Sequence, residues 1–208
     1  MRGSDYQREE NYNEFLRLQQ NDDYIDVTYD EQSGGVSAVH KLHKFAKKQG
    51  INGMRQGDYE LVVLDVLRKS GHRVILEGES NTPGVKTFDG YYDDIPMEIK
   101  AIEGKGIWAI STKLRYAERQ HAKCVVLYFP KDDLYSEERI IDGLGKYMAN
   151  PDQPKELNIC KLITICSGRV LKTWYKKTTP IEGWSIQEGF RRENGANSYT
   201  LSPSNAKV

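Results

Sequence analysis

The stretch Lys86-Thr-Phe-Asp-Gly-Tyr-Tyr-Asp-Asp-Ile-Pro-Met-Glu-Ile-Lys-Ala-Ile102 decides how the rest of the chain is read. It parses as two short strands joined by a tight polar turn at Asp93-Asp94. Side chains alternate along a strand, so Glu98 and Lys100 share one face while Met97, Ile99 and Ala101 point the other way, into a core. Asp89 sits on the first strand of the hairpin. Two carboxylates and an ammonium on one hairpin serve packing poorly and suit a divalent metal. Asp89 and Glu98 would supply hard oxygen ligands, the Ile99 carbonyl lies between them, and Lys100 would hold or polarise a water. Mg²⁺ or Mn²⁺ fits an oxygen-only set. Zn²⁺ is also compatible, although no His or Cys lies within the motif. Asp93 and Asp94 read as turn residues rather than ligands.

Upstream of the hairpin, Asp58 to Arg68 predicts a helix that is apolar almost all round, stopped by Ser70-Gly71. Glu60 in its first turn has two readings: an exposed acid favoured by the helix dipole, or a further metal or water contact. Arg73–Gly78 predicts a strand and Asn81-Thr-Pro-Gly84 a turn. Ser37 to about Lys48 predicts another helix, with Val39, Leu42 and Phe45 at helical spacing and His40 and His43 beside them. Residues 1–35 form a polar segment that reads as a linker, a partly disordered arm or a small pairing edge, with a short helix near Glu9–Gln20 and a strand at Tyr24–Tyr29.

Downstream, residues 107–121 predict an amphipathic helix with Ile107, Ile110, Leu114, Ala117 and His121 on its apolar stripe. Thr112, Lys113, Arg115 and Arg119 lie opposite. Glu103-Gly-Lys-Gly106 is glycine-rich but lacks the spacing of a nucleotide-binding loop. Lys123–Phe129 is a buried strand, Ser136 caps a helix to Ala149, Asn150–Pro154 is a loop, and Asn158–Cys166 is a further strand. The order is helix, three strands, helix, strand, helix, strand. This is an α/β fold: an αβββαβ core with one further step, whose crossovers imply a mixed central sheet flanked by helices. The core domain spans 36–177, and 178–208 reads as a polar, loosely docked tail.

No apolar run approaches the length of a membrane span, and the N-terminus lacks a basic-then-apolar leader. Cys124, Cys160 and Cys166 are odd in number and widely spaced, which favours free thiols over disulfides or zinc. The formal net charge is zero, unlike most nucleic-acid binders, but the charge is blocked out unevenly. Residues 1–33 are acidic. Lys41, Lys44, Lys47, Lys48 and Arg55 form a basic run without acids, and Lys172, Lys176, Lys177, Arg191 and Arg192 make the C-terminal end basic. These blocks read either as solvated surface or as phosphate contacts beside an acidic metal site, with Lys47 and Lys48 the foremost candidates.

Asp89, eight intervening residues, then Glu98-x-Lys100 resembles the active-site motif of the PD-(D/E)XK nuclease superfamily. The surrounding Pro-Gly-Val-Lys-Thr-Phe-Asp-Gly and Pro-Met-Glu-Ile-Lys-Ala-Ile-Glu-Gly are more narrowly similar to bacterial contact-dependent growth inhibition toxins, which include tRNA nucleases, and to C-terminal nuclease domains of phage head proteins. The resemblance covers roughly Gly57 to Trp174, and Phe88 stands where the superfamily name has Pro. It implies a restriction-endonuclease-like fold and a metal-dependent endonuclease. Asp89, Glu98, Lys100 and Glu60 would be the catalytic set, with Asp89, Glu98, Ile99 and Glu60 around the metal. It further implies that Ser111, Thr112 and Lys113 approach the substrate backbone. The implied partners are tRNA, other RNA or DNA, and a cognate immunity protein. The implied place of action is the bacterial cytoplasm, or a target cell's cytoplasm after delivery as part of a larger exported protein. Two other readings stand beside this one: a non-catalytic nucleic-acid-binding or structural module of a phage or mobile-element protein, and another phosphoesterase or repair nuclease on the same fold.

Overall fold

The computed structural model describes residues 3–78, 87–149, 159–176 and 190–193. Among these residues nine strands run in one mixed sheet whose spatial order is the chain order: β1 (Tyr24–Tyr29), β2 (Val36–His40), β3 (Arg73–Leu76), β4 (Gly90–Tyr92), β5 (Ile95–Ala101), β6 (Cys124–Phe129), β7 (Lys161–Cys166), β8 (Arg169–Lys176) and β9 (Phe190–Glu193). Three neighbouring pairs are parallel: β2 with β3, β5 with β6, and β6 with β7. Each parallel step is bridged by a helix: α2 (Gln56–Lys69), α3 (Ala109–Arg119) and α4 (Glu137–Met148). The expected α/β architecture, a mixed sheet flanked by helices, is therefore present.

Alternation along the strands sorts the core into two faces. Val74, Leu76, Met97, Ile99, Cys124, Val126 and Tyr128 pack beneath α2 against Tyr59, Val63 and Leu67. Val125, Leu127, Phe129 and Leu162 face α3 and α4. Those two helices approach so closely that a Cβ on Gly143 would lie 2.5 Å from Ile110 Cγ2. All six residues of β6 are buried, as expected for an inner strand with parallel neighbours on both sides. Met97 and Ile99 face inward as expected. The β4–β5 turn has positive φ at both Asp93 and Asp94, the signature of a type I′ hairpin. Their carboxylates serve the turn: Asp93 binds the His72 ring and the Arg73 N–H, and Asp94 pairs with the Arg73 side chain.

Several expectations are corrected. The helix expected over 37–48 is absent: Val36–Val39 are buried in β2 between two other strands, and the chain then loops to Arg55. Leu42, read as part of a helical stripe, is exposed there. Residues 3–35 are not a linker or disordered arm. They form α1 (Gly3–Gln19) and the edge strand β1, the pairing-edge alternative. Leu18 packs against Val36, Ala38 and Ile75, and the buried Asn11 amide donates to the Gly34 and Gly71 carbonyls at 2.9 and 3.1 Å. In α3, Ile107 and His121 lie outside the helix and are exposed, leaving Ile110, Leu114 and Ala117 as the buried stripe. β8 returns as a hairpin on β7, and β9 adds to it inside the range read as a tail. The turn expected at 81–84, the loop at 150–154 and most of the tail lie outside the described residues. All three cysteines are free thiols. No helix among the described residues is long and apolar enough to cross a membrane.

Candidate active site where two strands part

The β4–β5 pairing ends at Gly90 opposite Met97. One position further on, Asp89 and Glu98 would face each other. Instead each carboxylate takes a backbone N–H from the other strand. Ile99 N–H donates to Asp89 Oδ2 at 2.7 Å, and Asp89 N–H donates to Glu98 Oε2 at 3.0 Å. Asp89 thus stands just before β4 rather than on it, and its carbonyl still accepts from Glu77 N–H at 2.9 Å. The two strands part around a pair of acids. On the other side Gly90 lets β4 lie close on β3, because a Cβ there would lie 2.0 Å from the Ile75 carbonyl oxygen.

Lys100 closes the third side. Its ammonium pairs with Glu98 Oε1 and donates to Gln120 Oε1 at 3.0 Å. Gln120, the C-cap of α3, also donates to the Thr87 carbonyl at 3.1 Å, tying the segment that leads into Asp89 to the lysine. The Ile99 N–H points at Asp89, and in an extended strand a residue's N–H and C=O lie on the same edge. The Ile99 carbonyl therefore faces the acids too.

Both acids are held well above the usual carboxylate range. Burial is the main cause for Glu98, which is only 1% exposed, followed by the charge of Asp89. Its pair with Lys100 works the other way. Burial likewise raises Asp89, with a further push from Glu60, against the Ile99 N–H, Lys100 and His43. Taking charged oxygens out of water is unfavourable unless a cation compensates, and one ammonium does so only in part.

Glu60 does not extend freely into solvent. His43, on the loop after β2, bridges it to the residue following β3: Nδ1 lies 2.8 Å from the Glu77 carbonyl and Nε2 lies 2.7 Å from Glu60 Oε2. A carbonyl can only accept, so Nδ1 carries a proton, and a second proton on Nε2 makes the Glu60 contact an ion pair. Burial works to lower the His43 pKa, but Glu60, the Glu77 carbonyl and Asp89 outweigh it and leave it raised. The sequence offers His43 either as a partly exposed helix histidine or as a phosphate or proton-transfer contact, and the structure has its side chain buried on a loop instead; nothing in the sequence marks Gln120. No spacing marks them, since one sits in a loop and the other at a helix cap.

The remaining candidates divide. Thr112 and Lys113 line an open cleft of about 530 Å³ bounded by Ala101, Glu103, Ile107 and Trp108. Burial and then the charge of Lys100 lower the Lys113 pKa, with Lys48 adding to the effect against Glu103. Lys47 and Lys48 are exposed on the loop after β2. Ser111 is corrected: it is buried within α3, its hydroxyl donating to the Trp108 carbonyl at 3.2 Å, and it presents nothing to a substrate.

A divalent cation can be tested against these groups. Among the described residues no three His, Cys, Asp or Glu side chains surround one point. Two carboxylates and a main-chain carbonyl are nevertheless a donor set that Mg²⁺ accepts, because it retains several waters. The partly compensated charge of buried Glu98 and half-buried Asp89 is what such an ion would relieve. Comparison with protein-family models, with curated proteins and with solved structures found no match.

Proposed function

We propose that this chain is a metal-dependent nuclease that hydrolyses phosphodiester bonds of RNA or DNA, of the PD-(D/E)XK type and most like a bacterial toxin domain. The observation that carries the reading is the meeting of Asp89, Glu98 and Lys100 where β4 and β5 part, with Glu98 buried and Asp89 half-buried. The motif anticipates this grouping from spacing alone.

Asp89, Glu98 and the Ile99 carbonyl would hold Mg²⁺ or Mn²⁺, which when bound neutralises phosphate charge and acidifies water. The protein's own groups do the rest. Lys100, held by Gln120 and Glu98, directs a water toward the phosphorus and stabilises charge that builds on the phosphate oxygens. His43 fixes Glu60 beside Asp89, where Glu60 can accept a proton or steady a second water. Lys113 and Lys48 extend the positive surface for the flanking phosphates. A cognate immunity protein covering this surface, and action in the cytoplasm of a bacterium, follow from the toxin reading.

The test is to incubate total RNA and plasmid DNA side by side with Mg²⁺, Mn²⁺ or EDTA and to sequence the product ends. Cleavage should need the metal and vanish in Glu98→Gln and Lys100→Met. Unchanged cleavage in both variants removes the assignment. Salt-sensitive binding without any cleavage would instead identify a non-catalytic module.

A further inference from the structure

The cleft beside Lys100 has a chemistry the hydrolytic centre does not explain. Its wall carries Trp108, 56% exposed, and Ile107, 68% exposed, at the entry to α3. Single exposed apolar side chains are ordinary, but adjacent ones rimmed by polar groups in a cleft mark a binding site. Lys146 of α4 places its ammonium 5.7 Å from the Trp108 ring centroid, so the indole is braced from a neighbouring helix. The cleft is also lined by Glu103, whose carboxylate is fixed by the Tyr59 hydroxyl at 3.2 Å, the Ile51 N–H at 3.3 Å and the Gln56 amide. That acid repels phosphate. Lys113 lines the same cleft and Lys100 directly precedes Ala101 of its wall, and both attract it.

From this division we infer that the cleft receives one unpaired nucleobase, stacked on Trp108, while the backbone follows the lysines past Asp89 and Glu98. The substrate is then single-stranded or locally unpaired nucleic acid, since a base held in a duplex cannot leave its stack to enter. The inference rests on the nucleic-acid reading of the neighbouring site. A pocket for phosphate alone would have no use for an exposed indole or a fixed carboxylate, and a duplex groove binder would need neither. About 530 Å³ is ample for one base.

Binding is measured on the Glu98→Gln background with Mg²⁺, using a fluorescein-labelled eight-nucleotide strand and the same strand annealed into a duplex. Adding Trp108→Ala should weaken single-strand binding by about 5- to 150-fold, the range for losing one stacked base. Duplex binding should move less than twofold, and Trp108→Phe should restore most of the loss. A Trp108→Ala change that leaves single-strand affinity intact overturns the inference, as does equal loss on both forms. Cleavage of the same strands by the protein with Glu98 in place separates the two ideas. Metal-dependent cutting with no Trp108 effect sinks the base pocket alone. A Trp108 effect with no cutting sinks the nuclease reading alone.

Discussion

Replacing Glu98 by glutamine should stabilise the metal-free protein at alkaline pH while abolishing the proposed cleavage. Glu98 is buried, and burial followed by the charge of Asp89 moves its pKa from 4.5 to about 7. The folded state therefore holds this proton more tightly than the unfolded chain does. The resulting stability is present below about pH 4.5 and is lost as pH rises through about 7. At 1.36 kcal/mol per pKa unit, the ionised acid costs the fold roughly 3 kcal/mol by pH 8. Glutamine keeps the volume and an acceptor for the Asp89 N–H, but it forfeits the ion pair with Lys100. A net gain of about 1–3 kcal/mol remains, roughly 2–12 °C in Tm for a domain of this size. Thermal melts in EDTA at pH 5 and pH 8 read it directly. Wild type should lose stability across that interval, and the variant should lose less. Asp89 titrates together with Glu98, so the informative quantity is the difference between the two proteins at each pH. Mg²⁺ at about one hundred times its Kd should then add about 2.7 kcal/mol to wild type and little to the variant. A variant that melts at or below wild type at pH 8, or a gap of equal size at both pH values, would refute the reasoning.

Gly90→Ala should destabilise the fold by about 1–3 kcal/mol through the clash with the Ile75 carbonyl, and cleavage should fall with it; urea melts and activity measured together check this. His43→Ala leaves a partly buried Glu60 oxygen and the Glu77 carbonyl without this partner, for about 1–3 kcal/mol of stability and a drop in the proposed cleavage, and His43→Gln should recover part of the stability in denaturant titrations. Lys48→Gln should weaken binding similarly on all sequences and lower the slope of log K against log salt by about 0.7–0.9, read from titrations at several salt concentrations. Ser111→Ala should leave cleavage within about twofold, because its hydroxyl bonds only to its own helix.

The parts of the fold that were readable in advance are those whose burial pattern repeats along the chain. α2 and α4 show helical periodicity with recognisable ends, β6 is a continuous apolar run, and β5 alternates cleanly between Met97, Ile99 and Glu98, Lys100. The hairpin brought Asp89, Glu98 and Lys100 together because a two-residue turn leaves little choice of register. β2 was mistaken for a helix because an inner strand buried on both faces does not alternate, and Val39, Leu42 and Phe45 happened to fall three apart. α1 was undervalued for the opposite reason. Its docking relies on Asn11, a buried polar anchor that hydropathy scores as solvent-facing. His43 and Gln120 reach the site through a loop and a helix cap, where contact depends on tertiary placement and no local pattern exists. Ser111 shares a helix with Thr112 and Lys113, but successive helical positions are about 100° apart, so one faces the core while its neighbours face the cleft.

The serial order of the nine strands bears on how the protein is made. Every strand is laid against one already synthesised, so the sheet can grow by accretion from its N-terminal margin as the chain leaves the ribosome. No slot has to be kept vacant for a late arrival, and each closure spans only a short piece of polypeptide. The acidic hairpin enters midway through this process. Its charges are installed before β6 and β7 seal the adjoining flank, while water is still on hand to solvate them.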